Sequence, residues 1–442
     1  MSGFKGIDQL IKDGGFYCES CKKFHAISLG KLILERGAIE KVPAELAQLK
    51  ITKPYILTDP NTYKAAGERL CAILDAAGVS YKCYTLSQSH PMPDEHTLGE
   101  AAMRYDASCD GIIAVGGGVI NDTAKMLTNL THKPFLYVPT APSMDGYAST
   151  SSSMDALGLK TTIASIPADT IVADTDIIAA APMDMILAGI GDMAAKYVSL
   201  VEWKMAPYIT GEYYCPEVAE MMKSSLDKVI SVSKAAVKRD PDAIAAVVEG
   251  LVLAGLAMTA AGVSRPASGM EHYMSHIRDM RSLEYGTRDD LHGLQCGYAV
   301  LICLCKYEQL LGVTPDREKA LAHAAAYDYA AHAKALREYV GVGAESMIKL
   351  EGKEGKYDPA KLPARLDRII ANWDTIKDII RELPSSAEYE KFCLEIGFPT
   401  KPEDLGMDCE EVKQLLRFGC DVRDKYVMSR LFWDFGLDVA CC

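Results

Sequence analysis

No run of lysines and arginines crosses this 442-residue chain in the way a nucleic-acid-binding stripe would, and the formal net charge is -13. A backbone of phosphates is therefore not its expected partner. The opening MSGFKGIDQLIKDGG has no apolar stretch of the kind a secretory leader needs. Reading further, no unbroken run of 18 or more apolar residues is evident, which argues against membrane insertion. Low-complexity tracts and internal repeats are also missing. These absences leave a cytoplasmic globular protein as the expectation. The composition agrees, at 49% apolar and 24% charged. A chain of this length suits two domains.

Cysteine is not scarce, with 14 in the chain, but the residues are scattered and no secretory signal accompanies them. They read as reduced thiols rather than a disulfide framework. Cys441 and Cys442 read as a solvent-exposed tail. One cluster differs. Cys18, Cys21 and His25 form C-x2-C-x3-H, a spacing that can supply three legs of a tetrahedral zinc site. No fourth ligand is evident, and the plainer reading is a local turn carrying reduced thiols.

Three stretches follow from texture. Residues 1–30 form an extension that carries the C-x2-C pair. Residues 31–181 alternate short apolar runs with helical periodicity, the mark of a parallel α/β sheet. Those runs are PYILTD (54–59), YKCYTL (81–86), GIIAVGGG (111–118), FLYVPTA (135–141) and TIVAD (170–174). Between the first two, residues 61–78 predict a helix capped by Asn61 and closed by a glycine. Residues 182–442 are rich in alanine and methionine at helical spacing over 217–262, 296–311 and 317–340, without strand signals. The charged segment 351–363 reads as a surface loop. The predicted fold class is thus α/β plus all-α.

Gly116, Gly117 and Gly118 stand at a strand end directly before a helix that opens near Val119. Backbone without side chains lets a pyrophosphate approach the helix N-terminus, where unpaired N–H groups favour an anion. GGG is not the GxGxxG fingerprint, and alone it fits a plain strand-to-helix turn equally well. The next strand opens onto VPTAPSMDGYAS, with Thr140, Ser143, Asp145 and Ser149 at the edge where open α/β sheets bind ligands. A Ser/Thr-rich capping loop accounts for Ser151 to Ser153 but not for Asp145. Asp59 ends the strand PYILTD, from which a carboxylate can bond a ribose hydroxyl and favour NAD over NADP. An Asp-Pro turn is the alternative there.

Of the nine histidines, His272, His276 and His292 fall within one 21-residue window. His272 and His276 are four apart, on one face of a helix. GIGDMAAKY (189–197) reads as the opening of a helix with Asp192 in its first turn. Asp192, His272 and His292 together offer one carboxylate and two imidazoles, a set that suits a divalent transition metal and leaves positions open.

GGGVINDTAK, TAPSMDGYAS, GIGDMAAKY, SGMEHYMSH and the HG of LHGLQCG together resemble the glycerol-1-phosphate dehydrogenase family, within the superfamily of iron-containing alcohol dehydrogenase, glycerol dehydrogenase and dehydroquinate synthase. TAPSMDGYAS is the most specific piece, and the likeness spans about residues 30–440. It implies a Rossmann-like N-terminal parallel-sheet domain and an α-helical C-terminal domain, as in dehydroquinate synthase. It implies interconversion of dihydroxyacetone phosphate and sn-glycerol 1-phosphate with NAD(H) or NADP(H) and one divalent metal: zinc, nickel or iron. Gly116, Gly117, Gly118, Val119, Ile120, Thr140, Ala141, Pro142, Ser143 and Ser149 would contact the dinucleotide. Asp145 and His276 would contact substrate. Asp192, His272 and His292 would hold the metal, with Asp192 and His276 in catalytic roles. Lys196, Arg265 and Arg278 are candidates for the substrate phosphate by position. A homo-oligomer, dimer or larger, is expected. The alternatives are a dehydrogenase of unphosphorylated glycerol, a carbocycle-forming lyase, and a nucleotide sensor that kept the fold.

Overall fold

Six short segments rich in branched apolar residues pair into one parallel sheet: β3 (Lys31–Glu35), β4 (Pro54–Thr58), β5 (Lys82–Thr85), β6 (Gly111–Gly116), β7 (Phe135–Pro139) and β10 (Thr170–Asp174). Their order across the sheet is β3-β10-β7-β6-β4-β5. Every residue of β4, β6, β7 and β10 is buried, as near-continuous apolar strands covered on both faces should be. Ile56, Leu70, Ile113, Val115, Leu136 and Val172 are fully or almost fully shielded in the core beside this sheet. From β4 the chain steps outward to the edge strand β5, then returns to β6 on the other side of β4 and continues to β7. The carboxyl ends of β4 and β6 therefore flank the topological switch point, where such sheets take their ligands.

Two antiparallel hairpins stand apart from the sheet: β1 (Gly15–Cys18) with β2 (Lys23–Ala26), and β8 (Ser151–Ala156) with β9 (Leu159–Ala164). The structure describes residues 6–156, 159–288 and 290–440, in a computed structural model of the chain. Cys441 and Cys442 lie outside the described residues.

Contacts divide the chain into two units. The first comprises Met1–Met193 and Glu217–Val263; the second comprises Ala194–Pro216 and Ser264–Cys442. The first holds all ten strands and most of the helices Pro216–Ala236 and Pro241–Ala261. The second is helical among its described residues, with Lys196–Ile209, Met270–Tyr285 and His292–Leu311 as its long elements. The boundary at 181/182 read from texture marks where the strands end; the contact units interleave along the chain.

Several local expectations need correction. The five anticipated strands form, but β3 and both hairpins add to them. Ser151 to Ser153 lie in β8 rather than in a capping loop: Ser152 is buried, and its hydroxyl bonds Ser165 Oγ at 3.0 Å and the Asp122 carbonyl at 3.3 Å. Asp192 sits in the last turn of the helix Met183–Ala194, not the first turn of a later one. The helix runs through both Gly189 and Gly191. The helix after β4 is capped by Asp59 instead of Asn61, with Asp59 Oδ1 accepting the N–H groups of Asn61 and Thr62. Of 351–363, the central stretch 355–361 is a connection of turns, while the two ends belong to the helices Ala344–Glu354 and Leu362–Ala371. The helix Pro241–Ala261 also contains an 18-residue window long and apolar enough to cross a membrane, with mean hydropathy 2.0, and 78% of that window is buried. A core helix passes the same test.

Gly189 and Gly255 have a specific use. A Cβ on Gly189 would overlap the carbonyl oxygen of Pro142, and one on Gly255 would stand 3.0 Å from both the Asp145 carbonyl oxygen and the Ser149 nitrogen. The loop 140–149 thus lies against the backbones of two helices of its own unit. Gly189→Ala is expected to cost ~1–3 kcal/mol, the usual range for overpacking, and to weaken dinucleotide binding. Denaturant unfolding and NADH titration would check this, and a variant with unchanged stability and binding would show that the loop is not seated as described.

Candidate active site

The anticipated residues fall into two groups, one within each unit. In the first, β6 ends at Gly116, and Gly117 precedes the helix Gly118–Thr131. A Cβ at Gly117 would meet nothing nearer than Ser143 Oγ at 3.9 Å. The protein itself leaves that space open at the helix N-terminus, which fits a phosphate that must approach the backbone closely. Gly116 is different, because its missing Cβ makes room for Ile120. The Gly116 carbonyl accepts from Thr140 N at 3.1 Å and from the Tyr137 hydroxyl at 2.9 Å, which ties the glycine turn to the next loop. Tyr147 then donates to the Ala141 carbonyl and accepts the Ser143 N–H at 2.9 Å.

Lys125 organises the rest of this loop. Its side chain is fully buried, and Nζ reaches the carbonyl oxygens of Gly146 at 2.6 Å and Ser151 at 3.1 Å, Ser149 Oγ at 3.3 Å and Asp122 Oδ1 at 3.4 Å. Burial pushes its pKa down, opposed by the Asp122 carboxylate. Ser149 is buried and its hydroxyl also bonds the carbonyls of Gly146 and Ser151, so it braces the loop from inside. Ser143, Asp145, Gly117, Gly118 and Val119 remain partly accessible, whereas Ala141, Pro142, Thr140 and Ile120 are buried. Asp192 is wholly buried, and Oδ2 accepts the Asp145 N–H at 2.9 Å, so these two carboxylate-bearing residues meet. Asp59 lies after β4 at the switch point, with Oδ1 already used as a helix cap.

In the second unit, the helices Met270–Tyr285 and His292–Leu311 bring three imidazoles together. Ring centroids are 5.0 Å apart for His272 and His292, 5.7 Å for His276 and His292, and 6.3 Å for His272 and His276. His272 Nδ1 bonds Glu271 Oε1 at 2.7 Å, and His292 Nδ1 bonds Ser275 Oγ at 2.9 Å. With Nδ1 engaged in both rings, Nε2 is the nitrogen that could coordinate a metal, as in the usual outer-shell arrangement. Burial, then the charges of His292 and Lys196, hold the His272 pKa well below its ordinary value. A neutral imidazole is the form a metal requires. His276 Nδ1 is buried without a hydrogen-bond partner, and burial lowers its pKa to about 4. An orphaned buried nitrogen beside two oriented imidazoles fits a site built for a ligand.

Glu271, Ser275 and Cys296 escaped sequence reasoning. Glu271 precedes His272 directly, so an adjacent acid was the available signal. Cys296 Sγ lies 3.5 Å from His292 Nε2, one helical turn on. Of the candidates for the phosphate, Arg265 is bound through Nε and Nη2 to Glu212 and donates to the Tyr426 carbonyl at 2.8 Å. Arg278 is held by Asp290 and by the Leu405 carbonyl. All three guanidinium nitrogens of Arg265 are thus engaged, whereas Arg278 keeps a buried Nη1 without a hydrogen-bond partner. Lys425 is a further candidate: Nζ donates to Ser264 Oγ at 2.8 Å and to the Ser268 carbonyl at 3.1 Å, and burial with nearby Arg265 and Arg423 lowers its pKa to about 7.

A parallel sheet with a glycine turn at its switch point, and a helical unit carrying clustered, oriented imidazoles, define the class of metal-assisted dinucleotide-dependent alcohol dehydrogenases. The sequence pattern of the iron-containing alcohol dehydrogenase family matches residues 33–182. The glycerol-1-phosphate dehydrogenase (NAD(P)+) of Halalkalibacterium halodurans is 33% identical over 308 residues, 68% of this chain and 77% of that one. That of Bacillus licheniformis is 26% identical over 423 residues, 95% and 92% of the two chains. Among solved structures, a probable glycerol dehydrogenase from Sinorhizobium meliloti superposes with a TM-score of 0.59 at 18% identity, covering 93% of this chain and 99% of its own. The glycerol dehydrogenase of Schizosaccharomyces pombe gives 0.59 at 16% identity, covering 92% and 88%. This chain belongs to the glycerol-1-phosphate dehydrogenase family.

The division of residues between units separates two measurable properties. His292→Ala should remove the metal bound by the histidine cluster while NADH affinity changes less than about threefold, since the glycine turn belongs to the other unit. Metal analysis and NADH fluorescence titration check this, and loss of both in a folded variant would refute it.

Proposed function

We propose that the protein is a metal-dependent, NAD(P)-linked dehydrogenase that interconverts dihydroxyacetone phosphate and sn-glycerol 1-phosphate. The observation that carries the reading is the pair of imidazoles with their Nδ1 atoms engaged, in the second unit of a chain of this family. Asp192, His272 and His292 are the proposed metal ligands. The set suits zinc or nickel, and iron is chemically compatible. The cation would polarise a carbonyl oxygen as a Lewis acid, and the nicotinamide would supply the hydride.

The chain's own residues position and discriminate. The glycine turn Gly116–Gly118 and the backbone of 140–143 bind the dinucleotide, and Asp59 at the switch point favours an unphosphorylated ribose, hence NAD. Asp145, anchored by its N–H on Asp192, orients the substrate. His276, neutral at ordinary pH because of its burial, accepts the hydroxyl proton when the alcohol is oxidised and returns it in the reverse direction. For the phosphate, we assign Lys425 with Arg423 and Lys196. Positive charges crowding a buried lysine oppose one another until an anion joins them, which favours a phosphorylated substrate over plain glycerol. The enzyme is proposed to act in the cytoplasm as a homo-oligomer.

Two measurements test this reading. An absorbance assay of NADH formation from each pure enantiomer should give strong preference for sn-glycerol 1-phosphate over sn-glycerol 3-phosphate and over glycerol, because ligands fixed on both reactants expose one face of C2. Preference for the 3-phosphate or for glycerol would overturn it. Lys425→Met should raise the KM for dihydroxyacetone phosphate about tenfold or more with a smaller change in kcat, and Lys425→Arg should recover most of the loss. Equal KM values in the wild type and the Met variant would remove Lys425 from the phosphate site.

A further inference from the structure

The hairpin of β1 and β2 takes no part in the chemistry above, yet it is organised around three metal-binding side chains. In its register Phe16 faces His25 and Cys18 faces Lys23. Residues alternate between faces, so Cys18, Phe16 and His25 share one side, and Tyr17 and Phe24 occupy the other. The first side is buried, with Cys18 wholly shielded and His25 nearly so; the second is exposed. Cys21 lies in the connecting turn. Ligand atoms of Cys18, Cys21 and His25 lie within 4.8 Å of one another. Around a zinc ion, tetrahedral ligands stand roughly 3.3–3.8 Å apart given metal distances of about 2.0–2.3 Å, so modest closure completes the geometry.

Three details point to a cation. The Cys21 N–H is directed at Cys18 Sγ, 3.3 Å away, a contact that stabilises a thiolate. The turn places Lys22 at φ 56°, in the left-handed region, with its N–H on the Cys18 carbonyl at 2.8 Å. A lysine there carries a backbone cost, which the turn sustains as it folds Cys21 back toward Cys18. His25 Nδ1 donates to the carbonyl of Ala260 at 2.6 Å. That bond assigns the tautomer and leaves Nε2 as the coordinating atom.

A candidate fourth ligand stands close along the chain to a residue that touches the hairpin turn. Ser20, between the two cysteines, bonds Glu217 at 3.4 Å. Cys215 is two residues before Glu217, so its backbone is tethered within about 7 Å of that residue, and its side chain is buried. Local spacing could not reveal a ligand nearly 200 residues away.

We propose that Cys18, Cys21, His25 and Cys215 form a structural zinc site, distinct from the catalytic metal. Three thiolates and one imidazole form a closed set with no position for substrate, and soft ligands of this kind select zinc over magnesium or calcium. The site fastens the hairpin, and through the His25 bond to Ala260 it steadies the end of the helix Pro241–Ala261.

Metal analysis of the full-length holoenzyme, purified under reducing conditions with zinc, tests this. The wild type should carry one more zinc per chain than Cys18→Ser, Cys21→Ser or Cys215→Ser, and a thiol-blocking mercurial should release that zinc. His292→Ala should retain it. Cobalt-loaded His292→Ala should show thiolate-to-cobalt charge-transfer absorption, a readout that needs no cysteine variant to fold. Absence of that absorption overturns the proposal, as does a Cys18–Cys21 disulfide in the purified protein. Unchanged zinc content in Cys215→Ser overturns the four-ligand set.

Discussion

The close seating of the loop 140–149 is the constraint on which the nucleotide-binding half depends. Gly189 and Gly255 remove the side chains that would hold the loop away from two helices, the buried Lys125 ammonium gathers two of its oxygens, the Gly146 carbonyl and Ser149 Oγ, together with the Ser151 carbonyl, and Asp192 takes the Asp145 N–H. Each interaction orders backbone rather than burying area. A buried cation without such carbonyl partners would be strongly unfavourable. The loop and Lys125 therefore depend on each other, and the loop in turn sets where Ser143 and Asp145 stand beside the open space over Gly117.

The legible part of the sequence was what period and composition encode. TIVAD and PYILTD are runs of branched apolar residues bounded by turn formers, and both are strands. The histidine pair four apart did share a helix, and His292 joined it through packing of the next one. What escaped was information carried by distant partners. Nothing near Gly189 reveals that Pro142 will lie on it, and GIGDMAAKY reads as the opening of a helix where one is in fact ending. Ser151 to Ser153 look like loop because their hydroxyls are polar, and only the cross-hairpin partner Ser165 satisfies one in a strand. Glu212 and Asp290 are partners of Arg265 and Arg278 that no spacing around the histidines reveals.

The electrostatics of the helical unit work against its charged groups in a consistent way. Burial depresses His272, His276 and Lys425, while it raises Glu202 to about 7 and Glu271 to about 8. Basic groups are thereby biased toward neutrality, and so are the acids. Such a region is poised to receive charge: a cation satisfies the imidazoles and the Glu271 carboxylate together, and an anion relieves the crowded lysine and arginines. In the proposed reading, the imidazole ligands and the phosphate-binding cations of this unit await their counter-charges for the same physical reason.

The interleaved order of the two units has a consequence for synthesis. Residues emerge from the ribosome in sequence, and the sheet is complete by Asp174, but the first unit recruits Glu217–Val263 before it is whole. At ~5–20 residues per second, the interval from Met193 to Val263 is about 4–14 s. During it, the part of the loop 140–149 that the Pro241–Ala261 helix will cover is exposed to the surrounding solution, and the apolar helix itself arrives as a nascent hydrophobic segment. The order in which the chain is written thus sets a waiting period that the finished fold no longer shows.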